Sequence, residues 1–146
     1  MVNETLPSGM CVLAVGDVSH ATSLQEAVTS CIWEVRLAAG DRSAIEESIA
    51  AVLDADELLI ERERKGKKVV DNIRPLITEL EVRGESALCI HADLGTKPRA
   101  LRPDELLRIM SISLSDRVVV RTAQLIDTEL ERLDPLSVDA VSVVHA

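Results

Sequence analysis

The chain has no phenylalanine, no tyrosine and a single tryptophan, Trp33. Its core must therefore be built from Leu, Ile, Val and Ala, and the aromatic platform on which most single-strand binders stack bases is missing. Cysteine is scarce: Cys11, Cys31 and Cys89 are widely spaced and form no CxxC pair. That spacing argues against a disulfide framework, a zinc site or a three-cysteine radical cluster. Cys89 and His91 alternate with apolar residues on an expected strand and share a face, but two ligands do not make a metal site. No apolar run approaches the roughly 20 residues needed to cross a bilayer. The first residues lack the basic and apolar regions of a signal peptide, so no membrane association and a cytoplasmic location are expected.

Recognised catalytic wording is missing too. His20, His91 and His145 stand in no nucleophile motif, and Gly66-Lys67 is not part of a phosphate-binding GxxxxGK[ST] loop. The expectation is a protein with no cofactor, no metal and no catalysis of its own.

What is present is charge, unevenly placed. The 146 residues carry a net charge of −9. Two stretches, 61–75 and 97–121, run against that balance, each with a basic surplus. The first packs Arg62, Arg64, Lys65, Lys67, Lys68 and Arg74 into fifteen residues. The second carries Arg99, Arg102, Arg117 and Arg121. Guanidinium forks suit phosphate oxygens and lysines add point charge. Either these are solvated loops and strand faces, or they converge into one anion-binding patch whose acidic surroundings limit indiscriminate binding.

Periodicity sets out the elements. Residues 1–23 read as an irregular segment with a short strand over Met10 to Val15, 24–126 as an α+β domain and 127–146 as an acidic tail. Leu24 to Ser30 reads as a short helix and Cys31 to Ala38 as a strand. Arg42 to Leu53 reads as a helix with Ile45, Ile49, Val52 and Leu53 on one face, and Ser43 and Glu46 at capping-box spacing. Leu58 to Arg64 reads as a strand and Lys65 to Asn72 as a loop. Leu76 to Arg83 and Ala87 to Asp93 form a hairpin about Gly84, with Leu76, Thr78, Leu80 and Val82 on one face. Pro103 opens a second helix that runs to Ile112, and Arg117 to Ile126 is the last strand. That order predicts a two-layer α/β sandwich of ferredoxin-like type with one extra strand.

Four phrases, NETLPSGMCVL, LQEAVTSCIWEVRL, RERKGKKVVDNIRPLI and LRPDELLRIM, follow one another along the chain. In that order they resemble the second half of the radical-SAM-linked protein family, a bacterial domain found beside, or fused after, B12-binding-type radical SAM proteins. The resemblance runs from about Asn3 to Leu125. The family's preceding half, with its FLSH, paired-arginine and GFNPHP-like segments, has no counterpart here, so the expectation is a truncated family domain. Asn72, between Asp71 and Arg74-Pro75, departs from the family's pattern. The resemblance implies a radical SAM protein as partner.

The expected role is a non-catalytic companion that positions a substrate, RNA or another polyanion, or the enzyme itself, through the basic patch. The alternative is an adaptor acting through protein contacts, with strand edges and apolar surface exposed by truncation driving homo-oligomers. Replacing Arg62, Arg64, Lys67 and Lys68 by Ala is expected to abolish polyanion binding while sparing the thermal melt.

Overall fold

A computed structural model describes residues 2–16, 23–37, 42–85, 87–112, 118–127 and 132–136. Its elements are α1 (Val2–Thr5), α2 (Leu24–Ala27), β1 (Ser30–Arg36), α3 (Arg42–Asp54), β2 (Leu59–Arg64), β3 (Lys67–Asn72), β4 (Ile77–Arg83), β5 (Cys89–Gly95), α4 (Pro103–Ile109), β6 (Val118–Asp127) and β7 (Arg132–Leu133). The main sheet has the order β4-β5-β1-β6-β7, and β2 and β3 form a separate two-stranded ribbon. All pairings are antiparallel. With the ribbon and β7 set aside, β1-α3-β4-β5-α4-β6 is the ferredoxin-like layout. The ribbon is inserted between α3 and β4.

The alternation on β1 sends Cys31, Trp33 and Val35 to one face. Their partners Leu94, Ala92 and Ile90 of β5 point the same way. Ile45, Ile49 and Val52 of α3 and Leu106, Leu107 and Met110 of the α4 region join this face in one cluster, so both helices cover the same side of the sheet. Ile73, Ile90 and Leu107 are fully buried, each worth about 1.5–3 kcal/mol relative to exposure. A second, smaller cluster is built from Val28, Cys31 and Ile126. Trp33 packs against both clusters.

Several local expectations change. Residues 10–16 form no strand. The helix over 24–30 is a single turn, with Ser23 Oγ accepting from the Glu26 N–H at 3.3 Å, and Ser30 already opens β1. Because α3 begins at Arg42, Ser43 lies inside the helix and is not its cap, while Glu46 pairs with Arg42 at 2.9 Å. Lys65 to Asn72 is not a loop: only Lys65 and Gly66 turn, at φ 50° and 77°, and Lys67–Asn72 returns as β3. Two positive-φ residues between paired strands make the tight turn whose twist matches a hairpin. On β4 a register shift between Ile77 and Glu79 brings Ile77 and Leu80 to the core and leaves Thr78 exposed. Helix α4 stops at Ile109, short of Ile112. Among the described residues no helix is long and apolar enough to cross a membrane, and no group of three His, Cys, Asp or Glu side chains could hold a metal ion.

Candidate functional site

The two basic stretches meet. The ribbon reaches over to the start of α4, and the junction is made by arginine. Arg62, only 6% exposed, donates from Nη2 to Glu105 Oε2 at 2.7 Å and from Nε to Glu105 Oε1 at 3.0 Å. It also reaches Asp71 Oδ2 at 3.4 Å and the Ala100 carbonyl at 3.2 Å. Glu105 accepts the Arg102 N–H at 3.0 Å and so caps its own helix. Burial pushes the Glu105 carboxyl up, but the bonds from Arg62 and from the Arg102 N–H outweigh it and hold the group below its ordinary value. Beside this pair, Arg99 Nη2 donates to the Glu63 carbonyl at 2.7 Å, a second stitch between loop 97–99 and the ribbon.

The structure divides the ten candidate cations by what they touch. Arg62 is committed to Glu105 and Asp71. Arg74 is committed to backbone: it donates to the carbonyls of Leu53 at 3.1 Å, Ala55 at 3.2 Å and Ile77 at 3.1 Å. The first two carbonyls close α3, so a guanidinium sits at the negative end of that helix. Arg64, Lys65, Lys67 and Lys68 are exposed at the ribbon tip, with Lys68 only 3.8 Å from Glu61 across the strands. Arg99, Arg102 and Arg121 are exposed as well. Arg117 lies outside the described residues.

Two concavities lie on either side of the Lys97-Pro98-Arg99 wall. On the ribbon side is a groove of about 680 Å³ lined by Arg64, Lys65, Val69 and Asn72. On the other side a cavity of about 620 Å³ opens where the two core clusters fail to merge, with Val28, Trp33, Leu94 and Leu101 as its apolar lining. Arg99, Arg102 and Arg121 stand around it, and Gln25 and Gln124 add amides. Lys97 donates to the Glu26 carbonyl, and Thr96 Oγ1 to the Val28 carbonyl at 2.7 Å, so the wall is tied to α2 and to the residue that caps its end.

The placing of Arg121 depends on a bulge. In β6, Arg121 pairs with Trp33 while Gln124 pairs with Cys31, with the register shift falling between Ile32 and Trp33. Residues three apart on a regular strand point to opposite faces, and the extra residue, Thr122, turns both toward the cavity. The Arg121 guanidinium lies 5.8 Å from the centre of the Trp33 ring. Cys31 also lines the cavity; burial pushes its thiol above the ordinary value, and the nearby Arg121 only partly offsets this.

On the opposite sheet face His91 is buried, with Nε2 3.5 Å from Glu79 Oε2 and, among the described residues, no hydrogen-bond partner for Nδ1. Cys89 shares that face, its thiol raised by burial and by Glu34. Lys97 and Trp33 join the site although neither is among the ten candidate residues; a cation beside proline and the one aromatic residue of the chain are the signals that point to them.

A sequence profile described as "Uncharacterized protein conserved in bacteria (DUF2344)" matches residues 1–103. The matched stretch includes the ribbon, loop 97–99 and most of the cavity lining, and stops before Arg121. No curated protein and no solved structure matches the chain.

Proposed function

The chain belongs to that bacterial family, DUF2344, and we propose that it serves as a non-catalytic positioning module that holds RNA, by its phosphate backbone, for a radical SAM enzyme. The observation that carries this is the meeting of two basic stretches around one wall. Arg64 and Lys65 line the groove together with Lys97 and Arg99, and Arg102 and Arg121 continue the basic surface beyond the wall. Arg62 and Arg74, the two best-satisfied arginines, supply the scaffold and leave the exposed cations to bind. The radical SAM partner rests on the sequence wording alone. The net charge of −9 works against indiscriminate association and favours a ligand that fits the groove.

The test is a fluorescence-anisotropy titration against a mixed tRNA and ribosomal RNA pool at several salt concentrations. The expected result is micromolar binding whose log affinity falls with log salt by about 0.7 per phosphate contact on single strands. Absence of binding at low salt overturns the reading.

A second reading, an adaptor working through protein contacts, draws on β6. Among the described residues β7 pairs only with Ile126 and Asp127. The outer edge of Val118 to Leu125 therefore meets no described strand, and Val118, Val119 and Val120 are exposed. Such an edge is a template for strand addition.

A further inference from the structure

We propose that the cavity beyond the Lys97–Arg99 wall takes one unpaired nucleotide, its base against Trp33 and its phosphate at Arg99, Arg102 and Arg121. This deepens the RNA reading and rests on it: the groove would follow the backbone while the cavity holds a single base.

Four features of the site carry the inference. The volume, about 620 Å³, falls within the roughly 300–1,000 Å³ of small-molecule sites. The chain's one aromatic side chain lines this cavity, and a ring face is what sequence-tolerant base binding requires. Gln25 and Gln124 bring amides that both donate and accept. A base edge can use them and a purely apolar acid cannot. Of the cations, Arg99 lines both the cavity and the groove, where the strand's next phosphate would lie, while Arg102 and Arg121 stand at the cavity itself.

Arg121 supplies the exchange. Its guanidinium lies over the Trp33 ring at 5.8 Å, a weak contact for an exposed side chain. A base stacking on Trp33 displaces the guanidinium, which is then free to meet the phosphate of the same nucleotide. The bulge at Thr122 makes this possible by aiming Arg121 inward.

With no tyrosine in the chain, Trp33 is a built-in reporter. Its emission is followed during titration with 5′-AMP, 5′-UMP, decanoate and a short unstructured RNA, alongside anisotropy of the labelled RNA. Saturable quenching by the RNA and by a mononucleotide is expected. Trp33→Leu should weaken RNA binding about 5- to 150-fold, the range that loss of one stacked base gives, with the salt slope unchanged. Arg121→Ala, on an exposed side chain, should weaken mononucleotide and RNA alike without unfolding the chain. RNA binding with a steep salt slope but unmoved emission and a neutral Arg121→Ala would overturn the cavity proposal and leave the backbone reading standing. Quenching by mononucleotide without RNA binding supports the nucleotide cavity and overturns the RNA role. Quenching by decanoate alone overturns the nucleotide, and unmoved emission with all four together with no RNA binding by anisotropy overturns both.

Discussion

Arg62 and Glu105, 43 residues apart in the chain, form a two-bond pair at 2.7 and 3.0 Å that joins the inserted ribbon to the first turn of α4. The guanidinium side chain is 4% exposed and the carboxylate 19%. Neither charge is left to water, and each is the other's compensation. A planar fork matched to a carboxylate is the geometry that lysine cannot reproduce.

Removing Arg62 therefore acts on stability before it acts on any ligand. Arg62→Ala leaves Glu105 with the Arg102 N–H but without its ion-pair partner and should cost about 3–5 kcal/mol. The triple change of Arg64, Lys67 and Lys68 to Ala touches exposed groups and should move stability by no more than about 0.5 kcal/mol. Urea unfolding of the two variants checks this. Equal losses in both would mean the ribbon is held some other way.

Acid should loosen the same pair. Glu105 holds its proton less tightly in the folded chain than in the unfolded one. As pH falls below the ordinary carboxylate value of about 4.3, the unfolded chain takes the proton first, and the stability contributed by Glu105 is lost through its depressed folded value. The difference in unfolding free energy between the wild-type chain and Glu105→Gln should thus be full above the ordinary carboxylate range and shrink as the pH falls below it. A gap that widens on acidification would contradict the assignment.

Arg74 should behave as part of helix α3. Arg74→Ala strips donors from the Leu53, Ala55 and Ile77 carbonyls and should lower stability by about 1–3 kcal/mol. Affinity for RNA and its salt slope should stay unchanged. Hydrogen exchange at the end of α3 and the anisotropy titration together decide it. A lower salt slope would return Arg74 to the binding surface.

The open edge of β6 has its own test. If the adaptor reading holds, the chain should self-associate at tens of micromolar, and Val119→Lys should return it to a monomer in sedimentation, since a charge on an edge strand blocks pairing. A monomeric wild-type chain at those concentrations removes homo-oligomers from consideration.

Much of the sandwich was legible because its cues are local. Ile45, Ile49 and Val52 mark one helical face, and Pro103, Asp104 and Glu105 mark a helix start. The ribbon's second strand was not, because charges at Lys67, Lys68 and Asp71 hide its alternation. The two-residue turn at Lys65-Gly66 was the signal available. The sorting of the cations was illegible for a different reason. Nothing near Arg62 in the chain announces Glu105, and nothing near Arg74 announces the end of α3. Those partnerships exist only once the ribbon folds back. Trp33 stands out in the sequence only as the one aromatic residue; its place beside the bulge in β6 exists only once the sheet forms.

The ribbon's two ends meet: the Ile73 N–H donates to the Leu58 carbonyl at 2.8 Å, so the sandwich carries the whole of 59–72 as a closed excursion between neighbouring points. Evolution or an engineer could lengthen, shorten or exchange that excursion without redrawing the sheet, as one changes the tool on a fixed handle. The graft has two conditions: a replacement must bring its own cation to Glu105, or Glu105 must be exchanged along with it, and it must offer Arg99 an acceptor in place of the Glu63 carbonyl.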